Sequence, residues 1–141
     1  MSLTRDQARA AMAAVFAAGR AGGMRPLAVA VVDAGGHVVA FEREDGAPVG
    51  RFEVARAKAH GAVMMGMGGR ALARLAEGRP VFAQTLAGVF DGKLLPVPGG
   101  VLLRDASGAI VGALGVSGDT SDNDAEAGLE GAVAAGFTGE A

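Results

Sequence analysis

The sequence contains no cysteine, no tryptophan and no tyrosine. Disulfides, thiolate metal sites and thiol catalysis are thereby excluded, and the redox compartment is left open. Six phenylalanines are the only aromatics, and 13 basic against 15 acidic residues give a net charge of −2. With few faces for base stacking and no basic excess, a nucleic acid partner is not expected. No apolar run approaches the length of about 18 residues that reads as a membrane span. The N-terminal Met1-Ser-Leu-Thr4-Arg-Asp-Gln7 lacks a basic segment followed by a sustained apolar run, so no export signal is read and a cytoplasmic location is expected. The two histidines, His37 and His60, are 23 residues apart. No metal-binding spacing connects them, and a closed structural zinc site is not expected.

What is present is an apolar, glycine-rich chain of 141 residues, half of them hydrophobic. That length can bury a core without covalent staples, and residues 1–141 are read as one domain. Thr4 and Gln7 form a capping box before an alanine-rich helix that runs from Arg5 to about Ala21 and stops at Gly22-Gly23. Pro26 opens a strand from Leu27 to Asp33 whose Val/Ala content predicts burial on both faces. Gly35-Gly36 are expected to supply positive φ angles for a tight reversal into a second strand, His37 to Arg43. After the acidic Asp45-Gly46 turn, a long helix is predicted from about Arg51 to Met67, with Phe52, Ala55, Ala59, Ala62, Val63 and Met67 as its packed stripe.

A short helix is expected from Arg70 to Glu77, then irregular chain around Pro80 to Phe90. The last third reads as a Pro96-to-Gly100 turn, strands Val101–Arg104 and Ala109–Val116, and a helix from about Asp122 to Phe137. Ser121 and Asp124 fit a capping pattern at that helix start. The order helix, hairpin, helices, hairpin, helix defines an α+β class with an antiparallel sheet and helices on its faces.

Five ordered motifs carry a family resemblance: Ala30-Val-Val-Asp33 with Gly36-His37; Arg43-Glu-Asp45-Gly46-Ala47; Ala57-Lys58-Ala59; Pro98-Gly99-Gly100-Val101; and Gly115-Val-Ser-Gly118 with Asp124. Together they resemble the GlcG/HbpS family, which includes the C-terminal domain of PduO-type proteins and is described as haem-degrading or haem-binding. The resemblance runs from about Thr4 to Phe137. It implies a profilin-like α/β/α sandwich with an antiparallel central sheet, a homo-oligomer, and haem or a related tetrapyrrole as cofactor. Many members have Thr after the Lys-Ala-x stretch of the second helix. This chain has Gly61 there, preceded by His60, so a ligand role tied to that Thr does not transfer.

Several residues are candidates for binding or chemistry, each with a plainer reading beside it. The imidazole of His60 can ligate haem iron, with Met64 one turn on as a soft neighbour, or it is simply a half-exposed helix residue beside Arg56. Lys58 and Arg56 can pair a carboxylate of substrate or haem, or be solvated helix charges. Asp45 can orient a ligand's polar group, or serve only its turn. Gly99-Gly100 can offer backbone N–H groups to an anion, or be ordinary turn glycines. His37 reads as a turn residue, and Met64-Met65-x-Met67 as packing. The acidic cluster Asp119, Asp122, Asp124 and Glu126 reads as helix capping, since Ala127 and Val133 stand where an EF-hand needs Gly and Glu. Ser117 lies in Gly115-Val-Ser-Gly-Asp119, one residue short of a nucleophile elbow and with no later histidine as base. Gly66-Met-Gly-Gly69 lacks the strand-to-helix context of a phosphate loop.

Two functions of different kind follow. One is a small-ligand-binding protein holding haem or a tetrapyrrole between the second helix, the Asp45 turn and the Gly99-Gly100 turn. The other is a cofactor-free enzyme on a small organic acid or carbonyl compound, with Lys58 or Arg56 as anchor and His60 or Asp45 moving a proton. A third reading is an accessory subunit of a catabolic enzyme.

Overall fold

A computed structural model describes residues 2–141. Five helices and five strands follow one another along it: α1 (Arg5–Ala21), β1 (Ala28–Asp33), β2 (Val38–Arg43), α2 (Arg51–Met65), α3 (Gly69–Gly78), α4 (Pro80–Val89), β3 (Gly100–Arg104), β4 (Ile110–Ser117), α5 (Ser121–Ala134) and β5 (Thr138–Glu140). The strands form one antiparallel sheet in the order β2-β1-β4-β3-β5. Helix α2 covers one face, against β4, β1 and β3, while α1 and α5 pack on each other and cover the opposite face. This is the expected profilin-like α/β/α sandwich with an antiparallel central sheet.

The strand pleat divides the core between the two layers. Val29, Val31, Val101, Leu103, Leu114 and Val116 point toward α1 and α5, where Met12, Val15, Ala127 and Ala132 complete the larger cluster. Val32, Leu102 and Ala113 point the other way and meet Ala59 and Ala62 of α2. Strand β1, central and buried on both faces as its composition predicts, leaves only Asp33 partly open. Burial of such fully enclosed Val and Leu side chains is worth about 1.5–3 kcal/mol each.

Four local expectations are corrected. Pro80–Val89 is a helix rather than irregular chain, with Pro80 in its first turn, where a missing N–H costs nothing. At α5 the cap is Thr120, whose hydroxyl accepts from Asn123 N, and not Ser121. The β1–β2 reversal places only Gly36 at positive φ, +83°. Helix α2 stops at Met65, before Met67, because Gly66 takes a left-handed cap at φ 66°. Strand β5, absent from the sequence reading, pairs with β3 through Leu102, Leu103 and Arg104 and is tied down by Arg104–Glu140 contacts of 2.8 Å.

A lone oriented histidine on helix α2 as candidate functional site

Helix α2 has two chemically different sides. Its inner side is nearly bare: Ala55, Ala59 and Ala62 are fully buried on the sheet. The sheet is equally bare opposite them, since a Cβ on Gly115 would collide with the Ala55 carbonyl, and one on Gly100 with the Lys58 carbonyl. Small residues on both partners bring the helix close to the strands and fix its rotation. The rotation then decides which side chains turn inward and which remain accessible.

Lys58 turns inward and is 4% exposed. Its Nζ donates to the Val116 carbonyl at 2.8 Å and to Asp124 Oδ2 at 3.2 Å, past the end of β4. Burial drives the Lys58 ammonium below its ordinary pKa against the opposing pull of Asp124, and burial likewise drives the Asp124 carboxyl up against the pull of Lys58. The charge of Lys58 is thus matched inside the protein by Asp124. Gly99 and Gly100 are buried beneath the same side chain; a Cβ on Gly99, at φ +121°, would lie 2.9 Å from Lys58 Nζ, and its carbonyl accepts from Val116 N at 2.9 Å. These glycines make room for Lys58, whose side chain and backbone a Cβ on either would meet.

Asp45 stands in the connection between β2 and α2. It is exposed in the turn before Gly46 and lines a cavity of about 480 Å³ with Arg20, Pro26, Arg43 and Glu44. Arg51 donates to the buried Ser117 hydroxyl at 3.2 Å, so that hydroxyl is packed against a guanidinium and not against a base. His37 is a turn residue as expected: Asp33 Oδ1 accepts from the backbone N–H of Gly35 and His37 at 2.9 and 3.0 Å. Despite slight burial, these bonds hold the Asp33 carboxyl below its usual range.

The outer side of α2 carries Phe52, Arg56, His60 and Met64, successive residues one turn apart and hence a single strip. Phe52 packs edge-on against Phe41 of β2, with ring centroids 4.8 Å apart, and the Arg56 guanidinium lies 5.0 Å from the Phe52 centroid. The Nε of Arg56 is buried and has no hydrogen-bond partner. One turn on, His60 Nδ1 lies 2.8 Å from the carbonyl oxygen of Lys93. A carbonyl can only accept, so Nδ1 carries the hydrogen and the free lone pair of the ring is on Nε2. Phe90 meets the imidazole edge-on at 6.2 Å between centroids. Gly36, at the tip of the β1–β2 hairpin, closes the other side: a Cβ there would fall 2.9 Å from both His60 Cδ2 and Met64 Cε, and 3.3 Å from Nε2.

The structure thus brings together two residues singled out in the sequence, His60 and Arg56, with the soft side chain of Met64 beside them. It separates from them Lys58, Asp45 and the Gly99-Gly100 turn. It adds three that sequence reasoning missed: Lys93 through its carbonyl, Phe90, and Gly36 as the wall. A backbone acceptor leaves no signature in residue type, and Phe90 lay at the end of a segment read as irregular.

A lone imidazole with one nitrogen fixed and the other free can ligate a metal that brings most of its own ligands. Among the described residues no group of three or more His, Asp or Glu side chains is placed to hold a bare metal ion. A haem iron needs only an axial donor, because the porphyrin fills four positions. The residues present therefore fit haem better than a free ion.

Fold and site together define a profilin-like α/β/α domain with a single oriented histidine on helix α2. The chain belongs to the HbpS-like family: the family model described as haem degrading protein HbpS-like matches residues 3–133. It is similar to HbpS, at 32% identity and a TM-score of 0.81, over 94% of this chain and 89% of that one. A structure of a PduOC:heme complex superposes with a TM-score of 0.86 at 23% identity, over 97% of each chain. A Klebsiella pneumoniae protein, ORFY, gives 0.84 at 22% identity, over 94% of this chain and 90% of that one. No curated protein matches.

Proposed function

We propose that this protein binds haem or a related tetrapyrrole on the outer face of α2, where His60 Nε2 would be the residue atom that holds the iron. The observation that carries this reading is the 2.8 Å contact between His60 Nδ1 and the Lys93 carbonyl. Histidines that ligate metals typically donate the other ring N–H to a carbonyl or carboxylate, which fixes the ring and strengthens the donor nitrogen. Arg56, one turn away, offers a guanidinium for a propionate. Met64 and Phe90 supply apolar contact for the macrocycle. The family description as haem-degrading and the haem-bound neighbour of the same fold support the ligand class.

Bound haem would supply the redox and ligand-binding chemistry of its iron. The chain's own residues would orient the donor and place a cation near the carboxylates. The enzyme reading keeps Arg56 and His60 but not its other candidates, because Lys58 is occupied by Asp124 and Asp45 lines a cavity with Arg20, Pro26, Arg43 and Glu44.

The test is a hemin titration followed at the Soret band, with His60→Ala and His37→Ala alongside. A saturable shift in the wild type and in His37→Ala, lost in His60→Ala, is the expected result. Equal, non-saturating absorbance in all three proteins overturns it.

A further inference from the structure

Two neighbouring residues of α2 meet the same peptide unit. His60 Nδ1 lies 2.8 Å from the Lys93 carbonyl oxygen. Gly61, next along the helix, faces Leu94: a Cβ there would lie 3.1 Å from Leu94 Cγ and 3.2 Å from its Cα. The Lys93 oxygen and the Leu94 Cα belong to one planar peptide group, which moves as a rigid plate because its C–N bond resists rotation. Whatever sets the depth of Leu94 against α2 therefore sets the reach of the Lys93 carbonyl toward the imidazole.

The fold seats this plate on α2. After α4 the chain reverses at Asp91 and Gly92, with φ of 55° and 76°. Gly92 N donates to the Ala87 carbonyl at 2.6 Å and Lys93 N to the Phe90 carbonyl at 3.0 Å, so the turn is tied to the end of α4. Leu94 then docks with 4% exposure. A larger residue at position 61 would press on a helix that has no room to retreat: Ala55, Ala59 and Ala62 are fully buried on the sheet, and the carbonyls of Ala55 and Lys58 stand where a Cβ on Gly115 or Gly100 would fall. The Leu94 backbone would have to give way, and the Lys93 carbonyl with it. A neutral imidazole carries one hydrogen, and a carbonyl at hydrogen-bond distance holds it on the nitrogen that faces the carbonyl.

We infer that Gly61 is a positioning residue: its missing side chain fixes the seat of the Lys93–Leu94 peptide, and through it the Nδ1–H tautomer that leaves His60 Nε2 open to a metal. The consequence for haem rests on the function proposed above, whereas the tautomer does not.

Long-range proton–nitrogen NMR of the histidine-labelled apoprotein tests it in a His37→Ala background, where His60 is the one remaining imidazole, at about pH 8.5, where an ordinary histidine is neutral. The background protein is expected to show the Nδ1–H tautomer alone. Gly61→Val should populate both tautomers, the minor one above about 10%, and weaken hemin binding about tenfold or more, as loss of a hydrogen bond behind a metal ligand does. Gly61→Ala should lie between the two, although Ala is the better helix former. Leu94→Ala loosens the same seat from the other side and should also mix the tautomers, which decides the matter if Gly61→Val does not fold. A folded Gly61→Val protein that keeps Nδ1–H alone overturns the inference, as does a background protein without tautomer preference. If the tautomer follows position 61 while hemin never binds saturably, the haem reading fails and the positioning role stands. Saturable hemin binding with a tautomer indifferent to position 61 separates them the other way.

Discussion

Lys58 of α2 and Asp124 of α5 meet at 3.2 Å with side chains 4% and 2% exposed, joining the two outer layers around the end of the central sheet. Removing the ammonium alone leaves a carboxylate in a site that has been stripped of water. Lys58→Met should cost about 3–5 kcal/mol in urea unfolding. Burial already raises the Asp124 pKa and Lys58 restrains that rise, so in the variant the carboxyl binds a proton more readily in the folded than in the unfolded chain. Stability of Lys58→Met should therefore fall further, relative to wild type, as pH climbs from 5 to 8. Adding Asp124→Asn should recover part of the loss and flatten that slope. A loss that is small at both pH values would show that the pair is open to water.

Gly36 occupies φ +83° in contact with the His60 and Met64 side chains. Gly36→Ala should cost about 1–2 kcal/mol for the left-handed backbone alone. The new methyl group also pushes the imidazole off its present position, so hemin affinity should drop alongside. Unchanged Soret titrations in a folded Gly36→Ala protein would detach the hairpin tip from the site.

Arg56→Gln removes the cation nearest His60 on the strip while keeping a long polar side chain. A guanidinium–propionate contact at a half-exposed position is worth about 1 kcal/mol, so hemin affinity should weaken about fivefold. The Soret maximum itself, set by the iron ligand, should not move. Thermal stability should change little, by the loss of the Phe52 stacking only, about 0.5–1 kcal/mol.

Asp119 accepts from the Asn123 side chain at 2.8 Å and from the Arg25 backbone N–H at 3.0 Å, and these bonds carry its carboxyl far below the ordinary 3.8. A depressed carboxyl stabilises the fold above its unfolded pKa, and that contribution disappears as pH falls toward the folded one. Asp119→Ala should thus lower the urea midpoint at pH 6, with the gap to wild type closing below about pH 4. A gap that persists undiminished at pH 2.5–3, about one unit under the usual carboxylate value, would assign the effect to packing.

The layered architecture was legible because its signals are local and redundant. The Thr4–Gln7 capping box, the Val-rich β1 and the glycine turns each report on their own neighbourhood, and all agree on one topology. Helix α4 was not legible: Val81, Phe82, Thr85 and Gly88 are indifferent helix formers, and a helix that buries only Ala83 has no buried stripe to announce it. The pairing of Lys58 with Asp124 joins residues 66 positions apart, and nothing in either motif announces the other. His60 could be named as a donor from its residue type, whereas its orientation depended on a carbonyl 33 residues downstream.

The close seating of Ala55 and Ala59 on Gly115 bears on how the molecule opens. A helix clamped to a central strand by backbone contact has no loose fit through which to slide, and its amides should exchange with solvent only in the rarest, most extensive openings. Helix α4, held chiefly by α3, belongs to the opposite end of that scale. His60 thus stands on a helix expected to open rarely, while Phe90, just past α4, borders it from a segment expected to open more readily. Under the function proposed above, release of a tetrapyrrole is expected to follow opening of that outer wall and not displacement of His60.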